Sequence, residues 1–180
     1  MNATDPDMRG EEICYDFEGN YTNHFKINKT NGSVYVTKSL DRDYPGGTSN
    51  WQINVAAYLC DQDNGPRGYG ILNYRLLDIN DNAPIFDTST IEGMVFENMP
   101  AGTSVMAVVA HDWDVAENGT VSYTGLDIPQ DNSSKPLFAI SSTGVVTTLI
   151  ASSLNREGKD VYYMKVRASD GGNSTKSGNY

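Results

Sequence analysis

Seven consecutive residues near the middle of the chain, Asp78-Ile79-Asn80-Asp81-Asn82-Ala83-Pro84, gather side chains able to hold a hard cation. In an extended segment Asp78, Asn80 and Asn82 project to one side and Asp81 to the other, and Pro84 keeps the exit stiff. Oxygen donors on both sides of a backbone suit a divalent ion of the calcium type, which takes about six to eight oxygens. A helix-loop-helix calcium loop opens with a similar pattern but needs Gly at its sixth position and Glu at its twelfth, where this chain has Ala83 and Ser89. Most ligands of such an ion must therefore come from elsewhere in the chain.

Further carboxylates sit in short acidic motifs, Asp5-Pro6-Asp7, Leu40-Asp41-Arg42-Asp43 and Asp112-Trp113-Asp114, and in Asp170 after Val166-Arg167-Ala168. The segments that must position them read as strands. Ile13, Tyr15 and Phe17 alternate with Cys14 and Asp16, and Trp51, Ile53, Val55 and Ala57 share a face. Thr30-Asn31-Gly32 reads as the turn of a hairpin between His24–Asn28 and Ser33–Thr37. A last strand from about Tyr69 to Leu77 delivers the chain to the acidic run.

After that run the same order returns. Asp112-Trp113-Asp114 answers Asp5-Pro6-Asp7, and Phe138-Ala139-Ile140 with Thr143-Gly144-Val145-Val146 answers Phe25-Lys26-Ile27 and its hairpin. Leu154-Asn155-Arg156-Glu157 answers Leu40-Asp41-Arg42-Asp43, and Val166-Arg167-Ala168 answers Val55-Ala56-Ala57. The offset, roughly 110 residues, is the size of one seven-stranded sandwich. The expected architecture is all-β: two tandem seven-stranded Greek-key sandwiches, residues 1–84 ending in the linker 78–84, and residues 85–180. The first lacks its N-terminal strands and the second its last strand. The second also has an expected opening strand near Thr90–Phe96 and another from Ser104 to His111.

Composition narrows the function. The 180-residue chain carries a net charge of −10, which argues against a nucleic-acid partner, because phosphate binding needs basic patches. No apolar run approaches the roughly 18 residues of a membrane span, and no signal peptide precedes the first motif. Seven Asn-x-Ser/Thr sequons begin at Asn2, Asn20, Asn28, Asn31, Asn118, Asn132 and Asn173, a density that suits an extracellular chain. An enzyme reading has little behind it. Asp112 and Asp114 lie in one loop rather than facing each other across a substrate. There is no Gly-x-Ser-x-Gly, no phosphate loop and no metalloprotease helix. His111 beside Asp112 offers a single nitrogen where a zinc site wants several, and is read as a strand-end histidine. Trp113 is read either as an exposed contact residue or as packing over the ion site.

Taken together, the Asp-x-Asp loops, Leu-Asp-Arg-Asp, Glu97-Asn98, Ala168-Ser169-Asp170-Gly171 and the DxNDNAPxF run at Asp78–Phe86 resemble the extracellular repeats of the cadherin superfamily, most closely invertebrate classical-type cadherins. The resemblance implies up to three Ca2+ ions at the junction of the two repeats. Their ligands would be Asp41 and Asp43; Asp78, the Ile79 carbonyl, Asn80, Asp81 and the Asn82 carbonyl; and Asp112, Asp114, the Asn118 carbonyl and Asp170. Seven carboxylates crowded at one joint would repel one another without cations. Outer junctions would use Asp5 and Asp7 upstream and Glu97 and Glu157 downstream, with Asn155 in place of the usual Asp.

In the implied fold the strands holding Cys14 and Cys60 are antiparallel neighbours with both thiols on the outer side, so a disulfide is expected. Glycosylation is expected at Asn2, Asn20, Asn28, Asn31, Asn132 and Asn173. The implied function is calcium-dependent cell–cell adhesion by ion-stiffened repeats of a membrane-anchored ectodomain. Its partners would be other cadherin ectodomains, homophilic or heterophilic. A ligand- or toxin-binding receptor module is the alternative. No tryptophan matches the one that strand-exchanging members carry near the N-terminus, so exchange adhesion is not expected.

Overall fold

The computed structural model describes residues 3–6, 10–173 and 176–179, and they divide between two compact units, Met1–Leu77 and Asp78–Tyr180. The expected strand and ligand positions are therefore seen directly, except for Asn2 and Asp7, which lie outside the described residues. Among the described residues no helix is long and apolar enough to cross a membrane.

The first unit holds β1 (Ile13–Phe17), β2 (Phe25–Ile27), β3 (Val34–Val36), β4 (Asn50–Leu59) and β5 (Gly68–Arg75). One antiparallel sheet runs β1-β4-β5, and β2 and β3 pair as the expected hairpin, with Phe25 opposite Val36. The hairpin closes at Gly32, whose φ of 65° is open to glycine without strain. The Tyr15 ring lies close against Gly32, so a side chain there would also crowd the core. Strand β4 does most of the packing. Ile53 is fully buried and Val55 nearly so, and with Phe25 they form a core ringed by Phe17, Trp51 and Leu72. Burying such apolar area is the main stabilising term in a sandwich, about 25 cal/mol per Å2.

Cys14 and Cys60 form the expected disulfide, across a sequence separation of 46. Strand parity puts Cys14 on the outer face of β1, yet it is only 3% exposed. On the same face, opposite Cys14, the Tyr58 ring lies under the Arg67 guanidinium at 4.4 Å, which covers this end of the sheet.

The second unit adds β6 (Ile85–Phe86), β7 (Ser104–Ala107), β8 (Ala110–His111), β9 (Ser122–Leu126), β10 (Phe138–Ile140), β11 (Val145–Thr148), β12 (Lys165–Ser169) and β13 (Ser177–Asn179). The sheets run β10-β11-β7 and β13-β12-β9, with β6 paired to β8. Leu137, Phe138, Val146 and Leu154 form the core between them. Three expectations need correction. Ser104–His111 is not one strand: β7 pairs with β11, and the chain then changes partner so that β8 pairs with β6. Thr90–Phe96 joins no ladder; Val95 packs against the core while Met94 and Phe96 stay exposed. The last strand, expected to be missing, is represented by β13, which pairs with β12 as β5 pairs with β4.

Candidate metal centre

Residues 78–84 form no ladder and run between the Asp112-Trp113-Asp114 loop after β8 and the Asp170 loop after β12. The alternate residues of the run each find an acidic or amide partner in these loops. Asp78 Oδ2 accepts the Asn118 side-chain amide at 2.9 Å and the Val115 N–H at 3.3 Å. Asn80 Nδ2 donates to Asp170 Oδ1 at 3.1 Å. Asn82 reaches Asp114 twice, by its backbone N–H to Oδ2 at 3.2 Å and its side-chain amide to Oδ1 at 2.7 Å. Asp81, of opposite parity, is exposed, and its carboxylate accepts the Asn82 amide at 3.0 Å. The Ile79 carbonyl accepts the Asp81 N–H at 2.9 Å while the Ile79 side chain stays exposed.

The Asp-x-Asp loop owes its shape to local chemistry. Asp114 N–H donates to Asp112 Oδ1 at 2.9 Å, an Asx turn that fixes both carboxylates relative to the backbone. Gly119 closes the loop, since a Cβ there would run into the Asp114 carbonyl. Asp170 is held at both oxygens, by Gly172 N–H at 3.0 Å and Lys176 N–H at 2.8 Å, and is 4% exposed. Asp114 is 6% exposed, and Asp78 and Asp114 bring carboxylate oxygens within 4.8 Å of each other.

Asp112 carries the strongest electrostatic sign of a missing counter-charge. Its Oδ2 is buried and accepts no hydrogen bond among the described residues. Burial pushes its pKa above the ordinary carboxylate value, and the charges of Asp114, Asp170 and Asp78 push the same way, against the lowering effect of the Asp114 N–H. A buried carboxylate oxygen without a partner is costly, and a hard divalent cation is the partner that oxygen donors of this kind suit. The donor set fits calcium, being made of oxygens alone; His111 instead turns its Nε2 to Asp87 Oδ2 at 3.3 Å. Trp113 is 37% exposed.

The first unit repeats the same device. Asp43 N–H donates to Asp41 Oδ1 at 2.9 Å, Asp43 is 6% exposed, and the Arg42 guanidinium meets it at 2.5 Å. Gly47 stands to the Asp43 carbonyl as Gly119 does to that of Asp114. A third copy lies in the second unit, where Glu157 N–H donates to Asn155 Oδ1 at 3.0 Å and Glu97 Oε2 accepts the Arg156 N–H at 3.1 Å. Asp5 is half-buried.

Sequence reasoning passed over two residues. Lys176 donates its N–H to Asp170 and its Nζ to the Asp81 carbonyl at 2.9 Å. Gly172 is buried so tightly that a Cβ would meet the side chains of both Asn80 and Asn118. The paired glycines after Asp170 are the signal that could have found the second; a lone lysine offers none.

An acidic run clasped by an Asx-turn loop, on a small two-sheet sandwich, defines a β-sandwich repeat of the calcium-binding class. The chain belongs to the cadherin family: the model of the cadherin domain matches residues 91–180. It is 36% identical over 188 residues to neural-cadherin of Drosophila melanogaster, covering 96% of this chain and 6% of that protein. To human protocadherin Fat 1 it is 36% identical over 158 residues, covering 86% of this chain and 3% of that protein. Among solved structures, repeats EC22-24 of mouse cadherin-23 superpose with a TM-score of 0.77 at 27% identity, covering 93% of this chain and 50% of that one. Repeats EC1-4 of Drosophila N-cadherin give 0.68 at 29%, covering 94% and 40%. The chain thus spans less than a tenth of the length of these two curated relatives. Cadherin domains are extracellular modules that bind calcium, and the all-β Greek-key sandwich is their fold.

Proposed function

We propose that this chain is a calcium-stiffened stretch of a cadherin ectodomain that serves calcium-dependent cell–cell adhesion. The observation that carries the reading is the buried, unpartnered Oδ2 of Asp112 among Asp78, Asp114 and Asp170. A divalent ion placed there gains an oxygen already stripped of water and removes the repulsion that raises the Asp112 pKa. Up to three ions bind; Asp78, Asn80, Asp81, Asp112, Asp114, Asp170 and the carbonyls of Ile79, Asn82 and Asn118 are the ligands offered by the second unit, and Asp41 and Asp43 those offered by the first. The Asn82 amide and the Asn118 amide orient the carboxylates, and Gly172 N–H and Lys176 N–H hold Asp170. Ion binding converts mutual repulsion into a stiff connection between consecutive repeats. The partners in adhesion are other cadherin ectodomains, and the parent protein is membrane-anchored. The role is mechanical rather than catalytic.

The test is calorimetric titration of the chain with Ca2+ beside an Asp112→Asn variant. Saturable binding in the parent that weakens sharply in the variant supports the reading. Equal heats in both would remove it.

A further inference from the structure

The sequons are the one group of motifs left over once the acidic residues are assigned, and the structure separates them. We infer that the tip of the β2–β3 hairpin is an N-glycosylation site occupied at Asn28, and that Asn31, three residues on, stays bare.

Among the described residues, all the hydrogen bonding of Asn28's side chain falls on its carbonyl oxygen. Oδ1 accepts from the Thr30 N–H at 3.0 Å, the Thr30 hydroxyl at 2.9 Å and the Asn31 N–H at 3.2 Å. Glycosylation uses the other end of the amide. Nδ2 attacks the anomeric carbon of an oligosaccharide carried on a lipid diphosphate; the N–C bond forms, the C–O bond to the diphosphate breaks, and the amide loses one proton as the lipid diphosphate leaves. The carbonyl is untouched, so the turn keeps every bond it has, and three donors hold the amide plane that aims the first sugar. Lys29 and Thr30, which complete the sequon, are both exposed.

The neighbouring sequons lack this arrangement. Among the described residues Asn31 accepts only the Ser33 N–H, at 2.9 Å, and its amide shares with Asn28 a turn already closed by the Gly32 N–H to the Asn28 carbonyl at 2.9 Å. Two branched sugars cannot both leave so small a turn. Asn20 meets its Thr22 hydroxyl only at 3.4 Å. At Asn118 the relation is reversed: Nδ2 donates to Asp78 at 2.9 Å and Oδ1 abuts Gly172, so a sugar there would displace Asp78.

The experiment is to secrete the chain from a eukaryotic host, release the glycans with an amidase in heavy-oxygen water, and map the tagged aspartates by peptide mass spectrometry. The expected tag is on Asn28, with Asn31 and Asn118 unmodified. In a Thr30→Ala variant, which ends the first sequon and leaves the second intact, the tag is expected to move to Asn31. An untagged Asn28, a hairpin tagged at both asparagines, or a tag on Asn118 would overturn the assignment. A double variant, Asn28→Gln with Asn31→Gln, which removes both sequons of the hairpin, is expected to run lighter by one glycan, and unchanged mobility would also overturn it.

Discussion

Asn82 and Asp114 are joined at both carboxylate oxygens by a single residue, the backbone N–H of Asn82 to Oδ2 and its side-chain amide to Oδ1. This double link sets the direction of the most enclosed acid of the Asp-x-Asp loop. Asn82→Ala removes one of the two links and leaves the backbone bond. Losing an orienting partner of this kind weakens metal affinity by roughly ten- to a hundred-fold. Calcium titration of the variant should show that loss, and an unchanged affinity would mean that Asp114 is oriented by other groups.

Gly172→Ala should do comparable damage without replacing a ligand. The added methyl would overlap the Asn80 and Asn118 side chains, which orient Asp170 and Asp78. Calcium affinity should fall while far-ultraviolet circular dichroism stays that of a β protein. Native affinity in this variant would show that the close packing at Gly172 is slack.

Stability without ions should depend on pH through Asp112. Its folded pKa lies above the ordinary carboxylate value, because of burial first and neighbouring carboxylates second. The folded state therefore holds the proton more tightly than the unfolded state. That contribution to stability is full below the ordinary carboxylate value and is lost as pH rises through the raised one. In chelator, the parent should lose stability relative to Asp112→Asn over that window as pH increases. A difference between the two that does not vary with pH would contradict the origin assigned to the shift.

Removing the disulfide tests the first unit separately. With Cys14 and Cys60 separated by 46 positions in sequence, replacing both by Ala should cost about 2–5 kcal/mol. Denaturant unfolding under chelating conditions should show a lowered midpoint. Metal affinity at Asp112 and Asp114 should be unchanged, since those residues belong to the second unit.

The acidic run was legible because its side-chain oxygens and amides recur at alternate positions, and Asp78, Asn80 and Asn82 each meet a partner in the loops. The β2–β3 hairpin was legible for a similar reason, a glycine at the one turn position with positive φ. Other features depend on partners far away in sequence. Ser104–His111 has an unbroken strand pattern, and only the exchange of β11 for β6 as neighbour splits it. Thr90–Phe96 has the composition of a strand, but composition does not supply a ladder partner. The outer face of β1 should have been wet by alternation, yet Cys14 is enclosed by its own disulfide and by the Arg67-covered Tyr58. Lys176 was invisible because its link to Asp170 is made by a backbone N–H, which any residue but proline carries.

The central claim is that calcium binding is coupled to the folded acidic centre, and thermal melting tests it most directly. The chain and an Asp112→Ala, Asp114→Ala variant would be melted in millimolar Ca2+ and again in excess chelator. The account predicts that calcium raises the Tm of the parent and leaves that of the variant where chelator leaves it, because a ligand that binds only the folded state stabilises it. A parent whose Tm is the same in calcium and in chelator would contradict the account.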